Sequence, residues 1–100
     1  MAVFMIGYDL HEGEDYEDLI NAIKKISGGN WWHCLDSTWF IAHSGNAETI
    51  RNSLTPHIKN PNNHNGDKLL VLKINTPANW ACTSSLGDNC IQWLRDNIAK

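Results

Sequence analysis

The sequence predicts one α+β domain over residues 1–100, a four-stranded antiparallel sheet with helices on one face, in the order βαββαβ with an added C-terminal helix. Three observations predict it. The first and last strand candidates, residues 2–9 and 68–74, are short and nearly continuously apolar. Two aromatic, β-branched runs, 30–35 and 38–43, are separated by only Asp36-Ser37, which reads as a hairpin. Apolar residues at helical spacing lie on either side of that hairpin.

Each element has its own signal. AVFMIGYD, ending on Asp9, reads as a central strand buried on both faces. His11 to Asp15 is polar and contains glycine, hence a loop, with Asp15 placed to cap the next helix and Asp18 three residues on. Leu19, Ile20, Ile23 and Ile26 stripe that helix, and Gly28-Gly29 ends it because glycine enters the left-handed conformation cheaply. In the hairpin, alternation puts Trp31, His33 and Leu35 on one face and Trp32 and Cys34 on the other. Ser44-Gly45-Asn46 opens a second helix striped by Ala47, Ile50 and Leu54 and limited by Pro56. KNPNNHNGD, residues 59–67, reads as a mobile polar loop. KLLVLKI is the fourth strand, and Cys90, Ile91, Leu94 and Ile98 stripe a last helix that packs on the open sheet face or on a partner. Two right-handed crossovers around a hairpin give the split βαβ, or ferredoxin-like, arrangement.

Composition narrows the function classes. The 42% apolar share is that of a globular chain. No apolar run reaches the roughly 18 residues that would span a bilayer, and the opening residues lack the basic start of a signal peptide. The net charge of −3 and the scattered basic residues weigh against a general nucleic-acid coating protein. Three cysteines without a CxxC pair point to reduced thiols in a cytoplasmic protein, with Cys34 and Cys90 as small apolar side chains.

GYDL at the end of the first strand, the WWHCLDSTW hairpin, the LLVLKI strand and the terminal NW…WLRDNI stretch resemble small bacterial and phage proteins labelled "SinR family". Those are similar in turn to the CRISPR-associated small ferredoxin-like nucleases and to VapD-type proteins. The resemblance implies a homodimer whose sheets meet, with Asp9 of each subunit near the twofold axis. It also implies Mg²⁺ or Mn²⁺ held by that pair for hydrolysis of RNA or DNA phosphodiesters. The nucleases follow this aspartate with arginines, whereas this chain has His11, Glu12 and Glu14.

The candidate residues each carry two readings. Asp9 ends an apolar strand, where a carboxylate is costly to bury alone; it is either a metal ligand and catalytic residue or a cap for the following loop or helix. His33 is either a proton shuttle, with an ordinary pKa near 6.5, or a sheet-face histidine bonded to a neighbour. Tyr8, His11, Trp32 and Ser37 are the remaining candidates for contact with a nucleic acid or other ligand. Ser37 and Thr38 also suit a turn and a strand. The five tryptophans suit either base stacking or core and dimer packing. His11, His57 and His64 read as solvated loop residues. Two functions compete: a metal-dependent endonuclease-like homodimer, and a non-catalytic dimeric binding protein. The second would hold a nucleotide, a short nucleic acid or a protein partner in phage or bacterial defence or counter-defence. Either would work in the cytoplasm, that of the host if phage-encoded.

Overall fold

The computed structural model describes residues 1–11 and 16–100. Its elements run β1 (Ala2–Asp9), α1 (Tyr16–Ile26), β2 (Trp31–Leu35), β3 (Thr38–His43), α2 (Ala47–Leu54), β4 (Lys68–Ile74) and α3 (Asp88–Asn97). Single 3₁₀ turns lie at Thr55–His57 and Ser84–Leu86. The four strands form one antiparallel sheet in the order β2-β3-β1-β4. The expected Asp15 cap, with Glu12 and Glu14, lies outside the described residues.

Local chemistry accounts for the boundaries. Asn46 caps α2, its Oδ1 accepting from the Thr49 amide at 2.9 Å. Gly28 and Gly29, with φ of 62° and 91°, end α1 in the left-handed region, and buried Ser27 donates to the Lys24 carbonyl. Asp36-Ser37 turns the hairpin.

The two faces of the sheet are covered unequally. Phe4, Ile6 and Tyr8 of β1 and Trp39 and Ile41 of β3 point toward α1 and α2, where they meet Leu19, Ile23, Ile50 and Leu54 in one core. On the other face α3 builds a smaller cluster from Val3, Trp32, Leu94 and Ile98. β1 is therefore not buried on both faces along its length, as its apolar run suggested. Beyond Val3, its outward residues Met5 and Gly7 are only half-covered, and Asp9 is exposed. On the neighbouring β4, Leu70 and Leu72 are 59% and 49% exposed.

One further expectation is corrected. Cys34 and Cys90 are not separate thiols: a disulfide joins β2 to α3, with Cα atoms 6.4 Å apart, and Cys82 is the exposed free cysteine. Residues 59–67 form a polar loop of turns and bends, as expected. The Asp67 amide donates to the Lys59 carbonyl at 3.0 Å and the Lys59 amide to Asp67 Oδ2 at 2.8 Å, so the loop is closed at its base. Gly66 passes so near Asn60 that a Cβ there would collide with its backbone oxygen.

Candidate functional site

The pleat of β1 separates its last residues. Tyr8 and Leu10 turn into the core, while Asp9 points to the opposite, open face. Register places Asp9 opposite Lys68 and Gly7 opposite Leu70. A shallow groove of about 260 Å³ runs along them, lined by Gly7, Asp9, Lys68 and Leu70. Asp9 is thus an exposed carboxylate, and the cost of burying it, which first drew attention to it, does not arise.

One turn of chain further on is the feature that the sequence did not disclose. The Asp67 side chain is wholly buried, whereas that of His11 is 55% exposed. Asp67 Oδ1 accepts from His11 Nδ1 at 2.7 Å and from the His11 amide at 3.1 Å. A carboxylate only accepts, so the neutral imidazole carries its proton on Nδ1 and presents the Nε2 lone pair. A buried carboxylate fixing ring orientation and tautomer is the arrangement that prepares a histidine for proton transfer or metal ligation. His11 is held, then, not a freely solvated loop residue. His57 is also paired, its Nδ1 lying 3.0 Å from Asp18 Oδ1. On the helix side, Asp67 borders a cleft of about 470 Å³ that Arg51, Asn52, Thr55 and Asn62 also line.

The other candidates lie around the β2–β3 turn. Trp39 Nε1 donates to Tyr8 Oη at 3.0 Å, and that hydroxyl donates to the Asp36 carbonyl at 3.4 Å. His33 Nε2 donates to the same carbonyl at 3.0 Å, and its ring stacks on Trp39 with centroids 3.9 Å apart. His33 is therefore bonded to a turn neighbour, and its Nε2 is engaged. Burial, opposed by the Trp39 hydrogen bond and reinforced by nearby Tyr16 and Asp36, raises the Tyr8 pKa above 10.0. Ser37 is exposed in the turn, its carbonyl accepting from the Tyr8 amide at 3.2 Å. Trp32 is buried under α3, its Nε1 donating to the Cys90 carbonyl at 3.0 Å. Stacking of a base on Trp32 would require α3 to move. Trp31 is the exposed tryptophan, packed against Trp39 and under the Lys24 ammonium.

The expected alternation holds for Trp31 to Cys34 but not for Leu35. An irregularity in the β2–β3 register between Trp32 and Leu35 puts Leu35 opposite Thr38, in the apolar pocket shared with Trp32 and Phe40.

Among the described residues, no three His, Cys, Asp or Glu side chains gather as a metal group, and no helix is long and apolar enough to cross a membrane. Compared with known proteins, the chain matches no family model, no curated protein and no solved structure.

Proposed function

We propose that the chain is a ferredoxin-like protein that works as a homodimer and acts on RNA or DNA phosphodiesters, with Asp9 as a ligand of Mg²⁺ or Mn²⁺ and His11 as the proton carrier. The observation that carries this reading is the buried Asp67 carboxylate holding His11 two residues along the chain from the exposed Asp9. The strand order β2-β3-β1-β4, with helices after β1 and β3, supports the fold assignment. The dimer is supported by the bare strip of Met5, Gly7, Leu70 and Leu72 on the open face. Its rim carries Asp9 and Lys68, opposite charges on one patch.

The donor chemistry fits a hard cation in part. Among the described residues, each protomer brings the exposed Asp9 carboxylate and the His11 imidazole nitrogen to this end of the sheet, and a second copy would double that set. A bound cation would supply charge stabilisation at the phosphoryl oxygens and an activated water. Asp9 would hold it, Lys68 would face the phosphate, and His11 Nε2 would accept or return a proton, its tautomer set by Asp67. The test is cleavage of RNA and DNA with Mg²⁺ or Mn²⁺ by wild type, Asp9→Asn and His11→Ala. Metal-dependent cleavage lost in Asp9→Asn and reduced about 100-fold in His11→Ala is expected. No cleavage by wild type, or equal cleavage by wild type and Asp9→Asn, overturns the catalytic reading.

The net charge of −3 and the same bare strip favour a second reading, a non-catalytic dimeric binding protein. Calorimetry with nucleotides and short oligonucleotides separates the two, since tight binding without turnover supports only the second.

A further inference from the structure

The second layer of the molecule is attached differently from the first. α1 and α2 sit on the sheet through Leu19, Ala22, Ile23, Ile50 and Leu54, all buried. α3 has one buried residue of its own, Leu94, and closes over the sheet with Ile98 just beyond its end. Two hydrogen bonds assist, Trp32 Nε1 to the Cys90 carbonyl and Trp93 Nε1 to Asn30 Oδ1, while the Ala78 amide to the Ile98 carbonyl closes the layer on itself. One covalent bond, Cys34–Cys90, ties the first turn of α3 to the edge strand β2. Both of these cysteines are partly exposed, so a reductant can reach the sulfurs. Beneath α3 lie Trp32 and Phe40, and beside them a pocket of about 340 Å³ with Trp80 and Leu86 on its walls.

We propose that Cys34–Cys90 is a redox latch: its reduction by a dithiol loosens α3 and the segment before it from the sheet and uncovers the aromatic surface of Trp32 and Phe40. The chemistry is thiol–disulfide exchange. A thiolate of the dithiol attacks one sulfur and breaks the Cys34–Cys90 bond, forming a mixed disulfide. The second thiol of the reductant then attacks its own sulfur in that mixed disulfide and displaces the cysteine held there. Two electrons and two protons pass to Cys34 and Cys90, and the reductant leaves as its cyclic disulfide. With the tie cut, the small α3 cluster and two side-chain hydrogen bonds must hold the layer, whereas the α1–α2 face keeps its full core. Local opening of the less buried unit follows from this inequality.

Hydrogen exchange on the whole chain, oxidised and in dithiothreitol, tests the latch, with Cys82→Ser as the background so that only one pair can react. The expected result is that amides of residues 78–98 exchange about tenfold faster or more after reduction while those of β1 and β3 do not change. Tryptophan emission shifts to the red as Trp32 meets water, and reoxidation restores both. Cys34→Ser without reductant reproduces the reduced state. Three results overturn the proposal. Mass spectrometry of the non-reduced protein finds Cys34 and Cys90 unlinked; or reduction leaves the exchange of residues 78–98 unchanged; or β1 and β3 lose protection equally, which makes the disulfide a staple of the whole fold. None of these readouts depends on phosphodiester cleavage.

Discussion

The two faces of the sheet differ in how they exclude water. The α1–α2 face places Phe4, Ile6, Trp39 and Ile41 against two helices, with each of these side chains at 1% exposure or less. The opposite face is covered over β2 and β3 by α3, through a four-residue cluster and a disulfide, and is left open at Leu70 and Leu72. Continuous burial gives stability, and a partly covered face gives surfaces that bind or change. One sheet thus has a fully packed side and a partly covered one. Asp9 stands at the rim of the open side, while His11 is anchored by Asp67 at the base of the closed 59–67 loop.

The largest effect that could break this contrast comes from matched core truncations. Trp39→Ala should cost about 3–5 kcal/mol, and Leu94→Ala should fall at the low end for a core leucine, about 2 kcal/mol. Denaturant titration checks both, and equal losses would erase the distinction between the faces. Next is Asp67→Ala, which leaves the Lys59 and His11 amides without their acceptor. A loss of about 3 kcal/mol is expected, with Asp67→Asn milder at about 1–2 kcal/mol. Either substitution should also release the His11 ring, read from its NMR line shapes.

Leu70→Lys with Leu72→Lys should change protomer stability by no more than about 0.5 kcal/mol per site, because both side chains are exposed. The same double variant should convert a dimer to a monomer in light scattering. A monomeric wild type would leave the open strip to another occupant. The smallest effect is alkaline. Tyr8 has its pKa raised by burial, so the folded state keeps that proton after the unfolded chain has released it. Stability is therefore full below pH 10.0 and falls as pH rises from there toward the folded pKa. Tyr8→Phe should flatten this decline, although it also leaves the buried Trp39 Nε1–H without an acceptor.

Strand and helix identity was legible in the sequence because it depends on near neighbours. Alternation sorted Trp31 from Trp32, Asn46 marked the start of α2, and the KLLVLKI run marked β4. The candidate site was half legible. Asp9 stood out as a charge closing an apolar run, but its companion is remote: Asp67 meets His11 across 56 residues, and nothing in KNPNNHNGD marks its last residue as buried. Cys34 and Cys90 are likewise 56 residues apart, so an odd cysteine count and the lack of a CxxC motif could not reveal their pairing.

By itself, then, the sequence determined an α+β chain of four strands and the periodic faces of its helices, because propensity and hydrophobic period act over a few residues. Only the tertiary structure decided which face of β1 remains open, that Trp32 lies under α3, that Asp67 orients His11, and that Cys34 binds Cys90. Each of those depends on chain crossings that bring distant residues together, and such contacts leave no local pattern to read.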